Sequence, residues 1–401
     1  MTGTRFTVEI RPVLPQSLAR LEDLANDLYY SWDRGVRSVF RHLDPECWDE
    51  CAHNPKLFLR RVPQARLDAA ARDPMFLAEY RRALSAYDTY LEQHPDAAYA
   101  EHLDPGDDLV AYFSAEFGFH QSMPIYAGGL GILAADYCKA MSHLRAPFIG
   151  VGLLYQRGYF RQQILCNGDQ LAHYPVSRPD DLPVYPARDA AGDEVTVGVE
   201  VGGQAVTLKV WQVQVGHMRL YLLDADREEN GPELRTITHQ LYGGDNHNRI
   251  RQEIVLGIGG VRALRALGLA PTVWHINEGH AAFLVLERCR EEVAAGLPFT
   301  AALEKVAAAT VFTTHTPVPA GHDRFDHGLM GAMMPRVWEA LGIDEQRFLA
   351  LGANPASPGE FNMTTLALRG SRFHNGVSRI HGQVAAEMER YVWPQVPPEE
   401  N

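Results

Sequence analysis

The chain has 401 residues, of which 46% are hydrophobic and 22% charged, the proportions of a globular protein with a sizeable core. Its formal net charge of -13 argues against binding to nucleic acid or an anionic membrane surface, since both attract clustered Lys and Arg. The five cysteines are scattered and no apolar run is typical of a signal peptide or membrane span, so a reducing cytoplasmic location is expected.

The first part of the chain is predicted to be helical. Apolar residues recur at helical spacing in SLARLEDLANDLYYSW and again in RDPMFLAEYRRALSAYDTYLEQ. His94, Pro95 and the turn-forming run LDPGDD then indicate a boundary. We therefore expect a helical N-terminal extension over residues 1–102, followed by a larger domain over residues 103–401.

The larger domain is predicted to alternate strands and helices. LVAYFSAE is a candidate buried strand, and a glycine-rich turn and the helix candidate GILAADYCKAMSHL follow it. A long helix through NRIRQEIVLGIGGVRALRALG, the strand TVWHIN, another helix and the strand ATVFTT come later. Such alternation is typical of a parallel, three-layer α/β sheet. Between about residues 190 and 226, alternating segments predict a small antiparallel β meander inserted in this domain.

The glycine-rich segment from Tyr126 to Gly131 lies between a predicted strand and a predicted helix. Glycines let the main chain approach a ligand, and the helix start offers free N–H groups at its positive end. The segment therefore either binds a phosphate or forms a tight turn without a ligand. Gly257, Gly259 and Gly260 imitate a dinucleotide-binding fingerprint, but they continue a helix rather than open one, which favours helix packing.

Polar side chains follow two of the predicted strands. TVWHIN runs into Asn277, Glu278 and His280, and ATVFTT runs into His315. Open α/β sheets bind ligands at the carboxyl ends of their strands, so these groups are candidates for hydrogen-bonding sugar hydroxyls. Several potential metal ligands also crowd the second loop: His315, His322, Asp323, Asp326 and His327. Their spacing is not that of a zinc site on a helix, and no metal is expected.

Several longer segments stand out along the whole chain: AYFSAEFGFHQSMPIYAGGLGILAADYCKA, GVGLLYQRGYFRQQI, LYGGDN, RQEIVLGIGG, HINEGHAAF, TVFTTHTPVPAGHDRF and NGVSRIHGQV. In this order they resemble the α-glucan (glycogen, starch and maltodextrin) phosphorylase family, bacterial type, N-terminal half only. The resemblance implies the Rossmann-like N-terminal lobe of a GT-B glycosyltransferase. It also implies a hexosyltransferase that cleaves α-1,4-glucan with inorganic phosphate to give glucose 1-phosphate, in a family of allosteric enzymes that can form homo-oligomers.

The resemblance assigns roles to individual residues. His315 matches the histidine that contacts the terminal glucose, and Asn375 matches an asparagine that binds the 6-hydroxyl of that sugar, so both are candidate catalytic residues. The candidate residues for binding substrate or phosphate are Gly128, Gly129, Leu130, Glu116, Asp245, Asn246, Glu278 and His280. His374 stands where the family usually has a small or aliphatic residue, which puts the local geometry of Asn375 in question.

The resemblance also implies a cofactor, pyridoxal 5'-phosphate, and a C-terminal lobe that is absent here. None of the four lysines lies in a context that matches the family's Schiff-base lysine. The chain alone is therefore expected to be inactive, as a truncated product, an engineered fragment or one piece of a split enzyme. Two alternatives stay open: a nucleotide-sugar GT-B glycosyltransferase such as glycogen synthase, and a non-catalytic glucan-binding module. HINEGH together with THTPVPAG favours the phosphorylase.

Overall fold

The computed structural model describes residues 11–93, 99, 101–104, 106–318 and 321–397 of the chain. The predicted boundary at His94 and Pro95, and Pro105 of the LDPGDD turn, lie outside the described residues. In the described part of the chain no helix has the length and the apolar content that crossing a bilayer requires.

Short helices form residues 16–92, and several of them begin at a capping side chain. The side chains of Asp33, Asp44 and Asn54 each accept a hydrogen bond from a main-chain amide three residues ahead, which satisfies a donor that the first helical turn leaves free. The α-helices are α1 (Leu21–Asn26), α2 (Arg34–Leu43), α3 (Pro45–Glu50), α4 (Pro55–Arg61), α5 (Gln64–Ala70) and α6 (Pro74–Glu92). Two 3-10 turns accompany them, Gln16–Leu18 and Leu28–Ser31.

These helices pack directly on the rest of the chain. The buried carboxylate of Asp27 accepts hydrogen bonds from the amide of Gly216 at 2.7 Å and from the hydroxyl of Tyr87 at 2.8 Å. The hydroxyls of Tyr30 and Ser122 lie 2.6 Å apart in the same buried layer. One hydrophobic cluster therefore runs through both parts.

A nine-stranded mixed sheet forms the centre of the molecule, in the order β13-β10-β9-β1-β2-β8-β7-β5, with β6 also paired to β7. The strands are β1 (Val110–Phe113), β2 (Phe148–Leu153), β3 (Arg161–Ile164), β4 (Gln170–His173), β5 (Val184–Pro186), β6 (Thr196–Val201), β7 (Gln204–Val215), β8 (Met218–Asp224), β9 (Val273–Asn277), β10 (Thr310–Thr314), β11 (Arg324–Asp326), β12 (Glu360–Asn362) and β13 (Phe373–Gly376). The six strands from β13 to β8 in this order pair in parallel. The predicted α/β class is confirmed, with a central sheet that is mostly parallel.

Three strands of the central sheet, β6, β7 and β8, lie within the range predicted for the antiparallel meander, residues 190–226. β6, β7 and β8 do pair antiparallel, but β8 also pairs in parallel with β2, from Ile149 opposite Arg219 to Leu153 opposite Leu223. The three strands therefore continue the central sheet through β8. β8 pairs on both of its edges because its residues are buried on both faces of the sheet, as is usual for a strand inside a sheet.

The remaining α-helices cover the sheet and its connections. They are α7 (Gly129–Leu144), α8 (Pro232–Arg235), α9 (Asn246–Ile254), α10 (Gly260–Ala266), α11 (Phe283–Ala294), α12 (Phe299–Ala308), α13 (His327–Met333), α14 (Val337–Ala340), α15 (Glu345–Ala350), α16 (Met363–Arg369) and α17 (Arg379–Met388). A π-helical turn, Val255–Gly259, joins α9 to α10. A Cβ atom on Gly260 would lie 2.5 Å from the ring of Phe113, so the packing interpretation of these glycines is confirmed.

Candidate functional site

The carboxyl ends of four neighbouring parallel strands bring most of the predicted site residues to one edge of the sheet. β1, β9, β10 and β13 lie side by side, with Phe113 opposite Ile276, and Thr313 opposite both Asn277 and Asn375. The predicted polar residues that follow or end these strands are Glu116, Asn277, Glu278, His280, His315 and Asn375.

A buried chain of hydrogen bonds connects these strand ends. The Ser114 hydroxyl donates to the carbonyl oxygen of Glu116 at 2.9 Å, so its oxygen accepts from the Asn277 amide at 3.0 Å. The Asn277 carbonyl oxygen consequently faces His315 and accepts from its Nε2 at 2.5 Å. This arrangement places the proton of a neutral imidazole on Nε2 and leaves Nδ1 as an acceptor. Burial, the largest influence, lowers the pKa of His315 and favours that neutral form.

Glu278 holds the loop that carries His315. Its Oε2 accepts hydrogen bonds from the amides of His315 at 2.8 Å and Thr316 at 3.0 Å, and from the Thr316 hydroxyl at 2.9 Å. Burial alone would raise the pKa of Glu278, but His280 and these amides together hold the pKa below its ordinary value. The residue adopts a left-handed conformation with φ of 66°. An ionised carboxylate thus orients the start of this loop.

Glu116 holds the glycine-rich loop in the same manner. Its Oε2 accepts from the amides of Ala127 at 2.6 Å and Gly128 at 3.3 Å, and its Oε1 accepts from the Tyr242 hydroxyl at 2.5 Å. The contact requires a glycine at the next turn, because a Cβ atom on Gly131 would lie 2.7 Å from Glu116 Oε2. Both carboxylate oxygens therefore serve the protein's own loops.

The two main-chain amides at the start of α7 stay available. No other group in the described part of the chain accepts a hydrogen bond from the amides of Gly129 and Leu130. Gly128 and Gly129 are exposed, and a Cβ atom on either would meet nothing within 4 Å. Free N–H groups at the positive end of a helix, here one of 16 residues, attract anions. Of the three predicted phosphate-facing residues, only Gly128 uses its amide on Glu116.

His280 joins a buried charged group that also supports the site. Its Nε2 lies 3.2 Å from Asp323 Oδ2, and Arg249 Nη2 donates to the same oxygen at 3.0 Å. Burial would raise the pKa of Asp323, but His280 and Arg249 depress it far below its ordinary value. Arg249 also lies 3.3 Å from Glu253, whose pKa burial and Asp323 raise. Arg249 and Tyr242 were not predicted as site residues, because their contacts join segments that are distant in the sequence. The available sequence signal was their position, Arg249 in NRIRQE and Tyr242 in LYGGDN.

Asp245 and Asn246 lie at the start of α9. The side chain of Asp245 caps this helix by accepting from the amide of Asn248 at 3.2 Å, and both residues are exposed. No hydrogen bond among the described residues joins either of them to Glu116, Glu278 or His315. The structure therefore places them beside the site rather than within its hydrogen-bonded network.

Asn375 is bound to the neighbouring strand. Its Oδ1 accepts from the Thr313 hydroxyl at 2.8 Å, and that hydroxyl in turn accepts from His275 Nε2 at 2.7 Å. His374 lies on the other face of β13, where its Nε2 contacts the carbonyl oxygens of Leu368 and Ser371. Successive side chains of a strand point to opposite faces, so the side chain of His374 does not contact that of Asn375. The unusual residue at position 374 therefore leaves the hydrogen bond of Asn375 to Thr313 in place.

The side chains of the loop after β10 disperse rather than converge. Among the described residues no three His, Cys, Asp or Glu side chains lie close enough together to hold a metal ion. His322 Nδ1, for example, lies 3.4 Å from Glu389.

The lysines contact groups away from the strand ends: Lys209 pairs with Glu194 and Lys305 with Glu292, Lys139 with Asp136, and Lys56 covers the ring of Tyr185. In the described part of the chain, none of these lysines forms a hydrogen bond with a residue at the strand ends.

Replacing His275 with glutamine should make stability less sensitive to acid. Burial is the main reason that the pKa of His275 falls from 6.5 to about 4, and the neighbouring His315 lowers it further. Between these pH values the unfolded chain binds a proton that the folded chain does not, so this residue lowers the free energy of unfolding as pH falls, by up to about 1.4 kcal/mol per unit. Glutamine retains a donor for Thr313 but does not titrate.

Urea unfolding between pH 4.5 and 7 measures this difference. Buried Asp27 and Glu253, whose pKa values burial raises, act with the opposite sign but are common to both proteins. The difference in slope between wild type and His275→Gln therefore isolates His275. His247→Gln, at an exposed position, serves as the control. Identical slopes in wild type and His275→Gln would contradict the account.

Comparison with known proteins gives two kinds of match. Residues 14–123 match a protein-family model described as "Protein of unknown function (DUF3417)". The sequence is also 44% identical to the glycogen phosphorylase of Mycobacterium tuberculosis, over 99% of this chain and 48% of that protein.

Two further relatives give the same pattern. The maltodextrin phosphorylase of Thermococcus litoralis is 39% identical over 98% of this chain and 46% of that protein. The glycogen phosphorylase of Aquifex aeolicus is 35% identical over 94% of this chain and 53% of that protein. The chain thus spans about half the length of the curated relatives it matches.

Proposed function

Since the chain is homologous over nearly its whole length to glycogen and maltodextrin phosphorylases, we propose that it supplies the sugar-positioning and phosphate-facing side of an α-1,4-glucan phosphorylase. The family resemblance expected from the sequence motifs is confirmed by these relatives. In this proposal residues 103–401 form the Rossmann-like N-terminal lobe of a GT-B hexosyltransferase, and residues 1–102 form its helical extension. The assembled enzyme acts in the cytoplasm on glucan and inorganic phosphate.

One observation carries the proposal: two free helix-start amides and the imidazole of His315 are tied to the same strand ends by one network. Phosphate occupies the positive end of α7 and accepts hydrogen bonds from the amides of Gly129 and Leu130. The terminal glucose lies against His315, whose Nδ1 accepts from the 6-hydroxyl, and Asn375 binds the same hydroxyl. Positioning of both reactants, rather than covalent chemistry, is the contribution of these residues.

The reaction transfers a glucosyl group to phosphate. The bond between the sugar's anomeric carbon and the glucan oxygen breaks, and that oxygen takes the proton of the substrate phosphate. An oxygen of the same phosphate forms the new bond to the anomeric carbon with retained configuration. The main-chain carbonyl of His315 and the amides at α7 stabilise the opposite charges that develop on sugar and phosphate. Three further side chains act by holding these loops. Glu116 accepts a hydrogen bond from Tyr242, Glu278 accepts from the amides of His315 and Thr316, and His280 contacts Asp323.

Pyridoxal 5'-phosphate, the cofactor implied by the family, would supply a phosphate group that passes a proton to the substrate phosphate. The residues that hold it are proposed to lie in the half of the relatives that this chain does not match, because the described lysines are engaged elsewhere. This chain's residues then form one wall of the phosphate site and the other half forms the second wall. Homo-oligomers would assemble from the completed enzyme.

The test is to join this chain to the unmatched half of the Thermococcus litoralis relative and assay the product. With glycogen and inorganic phosphate, the joined protein should form glucose 1-phosphate, whereas the chain alone should form none. Consumption of a sugar nucleotide with glucan elongation, and no glucose 1-phosphate, would instead identify a nucleotide-sugar glycosyltransferase. Glycogen co-sedimentation by the chain alone, with an inactive joined protein, would identify a glucan-binding module.

A further inference from the structure

A basic cavity lies in the helical extension, apart from the strand-end site. On α2, Arg34, Arg37 and Arg41 follow one another at helical spacing and so share one face. They line an open cavity of about 470 Å³ together with Trp48, Asp49 and His53. We call this cavity the arginine groove. In a chain with a net charge of -13, three arginines on one cavity wall are a local reversal of charge.

The positive charge of the arginine groove is largely uncompensated. No described carboxylate forms an ion pair with Arg34, Arg37 or Arg41. Arg37 donates to the main-chain carbonyls of Tyr30 and Ser31, which orient the guanidinium without neutralising it. The nearby carboxylates have other partners: Asp49 bonds His53, and Glu79 bonds Ser38 and His42.

The positive charge of the arginine groove affects the pKa of the neighbouring His120. Burial is the main reason that the pKa of His120 falls to about 4, and the charge of Arg37 lowers it further. The groove therefore offers a potential that favours an anion.

A strained turn that carries His53 also lines the arginine groove. Ala52 and His53 both adopt left-handed conformations, with φ of 51° and 58°, which cost free energy in residues that carry a Cβ atom. The turn stacks the His53 ring on Trp48, with centroids 5.3 Å apart. Gln121 Nε2 donates to His53 Nδ1 at 3.0 Å and His53 Nε2 donates to Asp49 at 3.0 Å, so the ring is fixed from both sides. Strain kept at a cavity wall is typical of a binding site.

We propose that the arginine groove binds a phosphoryl group, as free phosphate or as the phosphomonoester of a small metabolite. Arginines recognise phosphate oxygens with paired N–H donors, and the cavity has room for an attached sugar or ring against the Trp48–His53 wall. The groove adjoins a second cavity of about 620 Å³ that shares Asp49 and His53 and extends to Tyr126 and Ala127 of the glycine loop. The second cavity therefore lies between the arginine groove and the glycine loop, and the groove would be a second phosphate-binding site, separate from the start of α7.

Calorimetric titration of the chain tests this site. The probes are inorganic phosphate, ribose 5-phosphate and phenyl phosphate, each added to wild type and to the double variant Arg34→Gln/Arg41→Gln. Both positions are exposed, so the fold should persist, which the melting temperature checks. The matched control is Arg72→Gln/Arg81→Gln, which removes the same charge from exposed positions of the extension outside the cavity lining.

Beyond any binding at the start of α7, which all three proteins share, we expect at least one probe to bind a further site in wild type and in the control alike. The Arg34→Gln/Arg41→Gln protein should bind it there about tenfold or more weakly, the loss of one or two charge-assisted hydrogen bonds. Tighter binding of an ester than of inorganic phosphate identifies an organic phosphate as the ligand, and the reverse identifies free phosphate. Equal affinity in all three proteins would overturn the proposal, as would the absence of binding by every probe at millimolar concentration.

Discussion

Replacing His315 with alanine should reduce phosphorolysis by the joined enzyme about 100- to 1000-fold while leaving the fold intact, the range found when one stabilising group of a transition state is removed. Nε2 of the imidazole bonds Asn277 at 2.5 Å and no described residue bonds Nδ1, so Nδ1 is the ring nitrogen left for substrate. Alanine removes that acceptor and also releases Asn277. The expected loss is mainly in kcat, with KM for phosphate little changed.

The matched control is His374→Ala. This histidine is also near the strand ends, but it lies on the other face of β13 and contacts main-chain carbonyls there. Its replacement should leave the turnover number near that of wild type. Thermal unfolding of both variants separates loss of function from loss of fold. Turnover at the wild-type level by the His315→Ala protein would remove His315 from the site.

Replacing Gly131 with alanine should disrupt the glycine loop. Alanine favours a helix more than glycine does, so propensity alone would stabilise α7. The new Cβ atom, however, would lie 2.7 Å from Glu116 Oε2 and 2.7 Å from the Cβ atom of Tyr126. Glu116 must then move and loosen its bonds to Ala127 and Gly128. We expect about 1–3 kcal/mol of destabilisation and a loss of phosphorolysis greater than tenfold in the joined enzyme.

Gly128→Ala provides the comparison for this variant. A Cβ atom on Gly128 meets no atom within 4 Å, so the substitution should leave the free energy of unfolding within about 0.5 kcal/mol of wild type. Urea unfolding of the two variants measures the difference. If Gly131→Ala were as stable and as active as Gly128→Ala, Glu116 would not hold the loop in the way described.

The local elements of the fold were predictable because each has a local pattern. β1, β9 and β10 are short apolar runs, and α7 begins directly after a glycine-rich turn. The order of strands was not predictable, since neighbours such as β1 and β9 are separated by about 160 residues and only tertiary packing pairs them. For the same reason the parallel pairing of β8 with β2 was not predictable. The alternating pattern of β6 and β7 indicates an antiparallel meander, but it does not show that β8 is buried on both faces.

The site was predictable as a set of residues but not as a network. The resemblance identified Glu116 and Glu278, yet their partners Tyr242 and Thr316 come from segments 126 and 38 residues away. In the extension, the spacing of the arginines is visible in the sequence, whereas the left-handed turn at His53 has no glycine to indicate it. Long-range contacts and strained turns are set by packing, which single-sequence patterns do not record.

Titrating the isotopically labelled chain with inorganic phosphate, and following its amide resonances, tests the central claim most directly. The account predicts that the amides of Gly129 and Leu130 shift in a saturable manner, in wild type and in Arg34→Gln/Arg41→Gln alike, because both N–H groups are free. The Ala127 amide, bonded to Glu116 at 2.6 Å, should shift less. Resonances of Gly129 and Leu130 that stay fixed at saturating phosphate would contradict the claim that the start of α7 is a phosphate site.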